Sequence, residues 1–166
     1  MTVRVAELHV AGVSREPMDP VDRVEAESGR GLVGDRYHGT RHRHVSVQSR
    51  EQLEEAARVR GAPVPPELTR RNITLDHGAV PTDPGDRIVI GDVLLEVVRR
   101  AAPCRVMDEA VGPGARAALH GRGGAVCRVL APGTITVGDA VDLDPPEPGY
   151  DSTDGTARTG LTAFGE

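Results

Sequence analysis

Two segments of this chain repeat one pattern, and the pattern limits what the rest can become. Pro84-Gly85-Asp86-Arg87-Ile88-Val89-Ile90-Gly91-Asp92-Val93 resembles Pro132-Gly133-Thr134-Ile135-Thr136-Val137-Gly138-Asp139-Ala140-Val141. Each reads as strand, Gly-Asp turn, strand, the local pattern of a β-hairpin. The repeat is too short for a solenoid. Shorter alternating segments surround it, at residues 2–11, 21–26, 44–48, 71–75 and 125–130, and each reads as a strand. One helix of ordinary length is predicted, with Ser49 as N-cap, Gln52 as its capping-box partner, and an end near Arg60 at Gly61. The predicted fold is therefore mainly β: a closed β-barrel with a few short helices on its ends.

Composition enters where it excludes partners. Aromatic residues make up 2% of the chain; Tyr150 and Phe164 lie near its end, which leaves Tyr37 alone in the body. A core without aromatics must be built from Val, Leu, Ile and Ala, and single-stranded nucleic acid has no stacking platform here. The formal charge of −5 gathers in the last segment, where Asp144, Glu147, Asp151, Asp154 and Glu166 face only Arg158. The nearly balanced body makes no electrostatic case for nucleic acid or an anionic membrane. Residues 1–143 are expected to form one barrel domain and residues 144–166, rich in Pro, Gly, Asp and Thr, a disordered acidic tail. No apolar run reaches membrane-spanning length and no apolar leader opens the chain. Two cysteines make no disulfide framework, so a soluble, cytoplasmic protein is expected. All 20 basic residues are Arg. Without lysine this chain alone forms no Schiff base with pyridoxal phosphate.

Cys104 is the leading candidate for chemistry. It ends the most strand-like stretch, residues 87–98, in the corner Ala101-Ala102-Pro103-Cys104-Arg105-Val106-Met107. Pro103 fixes its own φ and keeps Ala102 extended. Arg99, Arg100 and Arg105 are near in sequence, and cationic neighbours favour thiolate, the form that attacks electrophiles and binds soft metals. Four further groups stand beside it. The loop Gly34-Asp35-Arg36-Tyr37-His38-Gly39 can hold an anion through backbone amides and charged side chains. Thr69-Arg70-Arg71-Asn72 enters a strand, where Arg70 and Asn72 would share a face by the period-two rule and grip a phosphate or a purine-like edge. Gly121-Arg122-Gly123-Gly124 is a candidate anion contact and equally a plain helix stop. His38, His42 and His44 could make a zinc site with Cys104, although their spacing is only weakly diagnostic. Cys127, inside an alternating strand, reads as an inert wall thiol. No Walker loop, no dinucleotide-binding glycine pattern and no Gly-x-Ser-x-Gly elbow is present.

In order, the pieces Gly31-Leu32-Val33-Gly34-Asp35-Arg36, Arg70-Arg71-Asn72-Ile73, Ile90-Gly91-Asp92-Val93-Leu94-Leu95-Glu96-Val97, Pro103-Cys104, Gly121-Arg122-Gly123-Gly124 and Gly133-Thr134-Ile135-Thr136-Val137-Gly138-Asp139 resemble a MOSC domain. The module takes its name from the C-terminal part of molybdenum cofactor sulfurases. The resemblance spans most of residues 5–143. It implies a barrel similar to the inserted barrel domain of pyruvate kinase. It implies a reactive cysteine at Cys104, the metal ligand or sulfur carrier, with Arg36, His38, Arg70, Asn72 and Arg122 around the molybdenum cofactor. It also implies either reduction of N-hydroxylated small molecules, with electrons from a separate donor protein, or carriage of sulfur or cofactor to a client apo-enzyme without turnover. A non-catalytic binding module is the remaining alternative.

Overall fold

The computed structural model describes residues 1–147. Seven strands close on themselves, in the order β1 (Val3–Val10), β11 (Ala140–Asp142), β7 (Arg87–Ile90), β8 (Val93–Arg100), β9 (Ala125–Ala131), β5 (Val45–Ser49) and β6 (Ile73–Leu75), which returns to β1. Neighbours are antiparallel except β5 and β6, a parallel pair. Helix α1 (Arg50–Arg60) provides the crossover that a parallel pair requires. A short strand, β2 (Asp19–Val21), extends the free half of β1. Strand β3 (Arg23–Glu27) pairs with β4 (Gly31–Leu32) and β10 (Gly133–Thr136) in a small separate sheet.

The barrel interior follows from the period of two. Along β7 and β8, Ile88, Ile90, Val93, Leu95 and Val97 are buried, while the residues between them are only partly covered. These side chains join Leu8, Leu32, Val47, Ile73, Leu75 and Ile135 in one aliphatic core. As expected from the composition, it contains no aromatic side chain. Strand β5 departs from the alternation and is buried at all five positions. The segment from Pro66 to Asn72 lies against its outer face, so the polar residues there must be satisfied inside the protein. Gln48 Nε2 donates to Thr74 Oγ1 at 2.9 Å, and Thr69 Oγ1 donates to Gln48 Oε1 at 2.7 Å. A second, smaller core lies beneath α1, α2 (Arg105–Ala110) and α3 (Ala115–Ala118), where Leu53, Val64, Met107 and Leu119 pack together.

Three local expectations are corrected. The second Gly-Asp repeat is not a hairpin: β10 pairs with β3, whereas β11 pairs with β1 and β7. The turn between them carries the chain from one sheet to the other. Val5 donates to Asp139 O at 2.9 Å and accepts from Gly138 N at 2.8 Å, so strand β1 captures the turn. Strand β11 still closes the barrel. The capping box also fails. Ser49 Oγ has no hydrogen-bond partner, and Gln52 Oε1 accepts from Val80 N at 3.4 Å instead. The helix nevertheless stops at Gly61, whose φ of 74° is left-handed. Finally, the strand expected over residues 71–75 begins only at Ile73, which leaves Arg71 and Asn72 ahead of it. The expected acidic tail lies mostly outside the described residues.

Candidate functional site

At one end of the barrel, β8 turns into the corner that carries Cys104. The β8–β9 register shifts between Val97 and Arg99, and Ala101 N then donates to Gly124 O at 2.9 Å. Gly123 and Gly124 make this approach feasible. A Cβ on Gly123 would sit 2.7 Å from Ala101 O, and one on Gly124, where φ is 83°, would sit 1.8 Å from Val47 O. The corner therefore rests directly on backbone. Cys104 follows in extended conformation at the start of α2, and its side chain is exposed.

Cys104 opens onto a cleft of about 290 Å³ lined by Arg15, Arg36, Arg43, Arg70, Arg71 and Arg99 and by no carboxylate. Arg71 forms its floor at 6% exposure. Its Nε donates to Gly123 O at 3.2 Å, and no carboxylate pairs with it among the described residues. Desolvation, then repulsion from Arg43, draws its pKa down to about 10, so it stays charged at neutral pH. A buried charge without a counter-ion is costly and is ordinarily paired. The floor of this cleft is thus built to receive an anion. Tyr37, the aromatic residue of the body, holds two more cations in place: the guanidinium carbons of Arg36 and Arg43 lie 4.5 and 4.2 Å from its ring centre.

A MOSC domain family model matches residues 34–142. The chain belongs to the MOSC domain family. The YUAD protein from Bacillus subtilis has a similar structure, with TM-score 0.74 and 23% identity, covering 85% of this chain and 94% of that one. YiiM from Geobacillus stearothermophilus gives TM-score 0.65 at 18% identity, covering 89% and 77%. YiiM from Escherichia coli gives 0.64 at 20%, covering 88% and 70%. Likenesses at this identity establish a shared fold. No curated protein matches the chain at a significant level.

Within this MOSC barrel, the residues singled out from sequence divide. Cys104, Arg36 and Arg70 meet at the cleft. Asn72, His38 and Arg122 do not line it. Asn72 is 3% exposed and all its side-chain polar atoms are engaged. Its Oδ1 accepts from Ser46 N at 3.1 Å, and its Nδ2 donates to His9 O at 3.1 Å and Asp35 Oδ1 at 3.2 Å. The shared face predicted for Arg70 and Asn72 fails because Arg70 has φ of 62° and both residues precede β6. The left-handed turn breaks the alternation and leaves Asn72 facing inward. His38 Nε2 lies 2.8 Å from Glu27 Oε1, and Arg122 turns to Glu55 at 3.6 Å and donates to Ala118 O. Each has been drawn off by a nearby acceptor.

The histidine cluster does not assemble either. His44 is enclosed, with Nδ1 accepting from Val129 N at 3.0 Å and Nε2 donating to Thr40 O at 2.8 Å. That fixes one neutral tautomer, and burial holds its pKa below the ordinary value. Among the described residues no group of three metal-ligating side chains comes together. Cys127 is fully buried, and desolvation pushes its thiol up to about 12. Sequence reasoning missed Arg71, Arg43 and Tyr37 as cleft residues. The available signal was Tyr37, an isolated aromatic directly after Arg36 in a body otherwise free of aromatics.

Proposed function

We propose that this MOSC protein binds the molybdenum cofactor in the arginine cleft, with Cys104 as a ligand to molybdenum, and reduces N-hydroxylated small molecules there. The observation that carries the reading is the union of an exposed thiol with Arg71, a buried cation lacking a carboxylate partner, in one cleft. The donor set fits the cofactor at both ends. A soft thiolate suits molybdenum, and planar guanidiniums suit a terminal phosphate. Arg71 would hold that phosphate from below, with Arg43 beside it against the Tyr37 ring, while Arg36 is engaged by Asp35. Pro103 and the Gly123–Gly124 contact fix the position of the Cys104 sulfur. Bound there, the cofactor would supply two-electron redox chemistry. In the proposed reaction an N-hydroxyl compound takes up two electrons and two protons, its N–O bond breaks, and the amine and water leave. The electrons come from a separate reductase protein.

Molybdenum analysis after co-expression with cofactor biosynthesis tests the reading. Wild type should retain molybdenum, and both Cys104→Ser and Arg71→Gln should lose most of it. Equal metal in wild type and C104S would overturn ligation by Cys104. Loaded protein that activates a client apo-enzyme yet reduces no N-hydroxylated compound would establish the carrier reading at the same thiol.

A further inference from the structure

The cleft continues past Arg70 into a second pocket of about 520 Å³ lined by Arg15, Arg70, Arg105, Val106, Glu109 and Ala110. Arg15, Arg70 and Val106 line both spaces and form the wall between them. Two independent observations single out this wall. Arg15 and Arg70, with φ of 69° and 62°, are the two non-glycine residues with positive φ among the described residues. Such backbone is sparsely populated and costs free energy, and it concentrates at functional sites. The two strained positions are also tied together, since Arg70 Nη1 donates to Glu16 O at 2.7 Å, next to Arg15.

Charge gives the second argument. None of Arg15, Arg43, Arg70, Arg71, Arg99 and Arg105 pairs with a carboxylate among the described residues. In the outer pocket the one carboxylate is that of Glu109, against three guanidiniums. Arg70 Nη2 is buried in the wall without a hydrogen-bond partner. A terminal phosphate brings a charge of about −1.5 to −2, and a thiolate one more, so a cofactor in the inner cleft leaves positive charge unmatched. Arg105, which lines the outer pocket alone, stands apart from the inner cleft's own cations.

We propose that the outer pocket is a second anion site, built by Arg15, Arg70 and Arg105, and that it selects substrates carrying their own phosphate or carboxylate group. The substrate's anionic group sits on the outer side of the Arg15–Arg70 wall, and its reducible end reaches over the wall toward Cys104. The role of this anion as substrate rests on the redox reading above; the anion site itself does not.

Calorimetric titration of the purified protein without cofactor tests the site, using phenyl phosphate, benzoate and neutral benzamide as probes. Phenyl phosphate or benzoate should bind at least tenfold more tightly than benzamide, and the stronger of the two identifies the group recognised. Arg15→Gly removes the guanidinium at a backbone position glycine adopts without strain, so it should keep or raise Tm while weakening anion binding roughly tenfold. Arg105→Gln should weaken binding similarly, and because Arg105 lines only the outer pocket this variant should leave molybdenum content after co-expression unchanged. Anion binding unchanged in both variants, or benzamide binding as tightly as the anions, would overturn the proposal. Loss of molybdenum uptake in wild type with intact anion binding would overturn the cofactor reading and leave the anion site standing.

Discussion

At the scale of single residues, the protein separates chemistry from support. Cys104 and Cys127 carry the same thiol in different environments: one is exposed at a corner, and the other is sealed in the barrel. Native protein should therefore take up one equivalent of iodoacetamide rapidly, at Cys104, with Cys127 reacting only after unfolding; peptide mass mapping reads this directly. Rapid labelling of Cys127 would contradict the barrel packing. Asn72 is the support counterpart. Its amide joins β1 through His9, β5 through Ser46 and the Gly34–Gly39 loop through Asp35. Truncation strands several buried partners, and each stranded group costs about 1–3 kcal/mol. Asn72→Ala should lower stability by about 3 kcal/mol in denaturant unfolding, whereas Arg71→Gln, which removes an unpaired buried charge, should destabilise far less or even stabilise.

At the scale of elements, the loop after α3 decides where the thiol stands. Gly121 and Gly124 both have positive φ, but only Gly124 is pressed onto another strand. Gly121→Ala should cost about 1 kcal/mol, the ordinary penalty for left-handed backbone. Gly124→Ala should cost about 3 kcal/mol or more, because its Cβ would overlap Val47 O and force β5 from β9. Chemical denaturation of the two variants gives the ranking. An equal effect would mean that the loop does not bear on the sheet as described. The same loop serves the cleft through its backbone and not through Arg122: the Gly123 carbonyl is the acceptor that holds Arg71.

For the whole molecule, His44 links folding to pH. Burial keeps its folded pKa below the ordinary 6.5. Between the folded and ordinary values the unfolded chain binds a proton that the native chain does not, so stability rises with pH there. As pH falls through about 6.5, stability should decline, and the decline should level off below the folded pKa. A series of Tm measurements from pH 8 to 5 should show this slope in wild type and a shallower one in His44→Gln. Parallel slopes would assign the effect to other groups. The barrel itself rests on closure: β11 is three residues long, yet it bridges β1 and β7 and removes both sheet edges. Among the described residues no helix is long and apolar enough to cross a membrane.

The sequence by itself determined the barrel class, the single long helix with its stop at Gly61, and the proline corner that presents Cys104. These depend on local backbone preference and on the period of two, which neighbouring residues carry between them. The ordered MOSC motifs were legible for the same reason. Only the tertiary structure decided which cations meet that thiol. Residues 36–43, 70–71 and 99–104 are far apart in the chain, and barrel register brings them together. It also took His38, Arg122 and Asn72 away, because Glu27, Glu55 and the Ser46–Asp35 network compete for them across distances no local pattern encodes. The left-handed backbone at Arg70 turned two arginines to the cleft and the asparagine to the core, and a β-branch-free Arg-Arg pair gives no local warning of it.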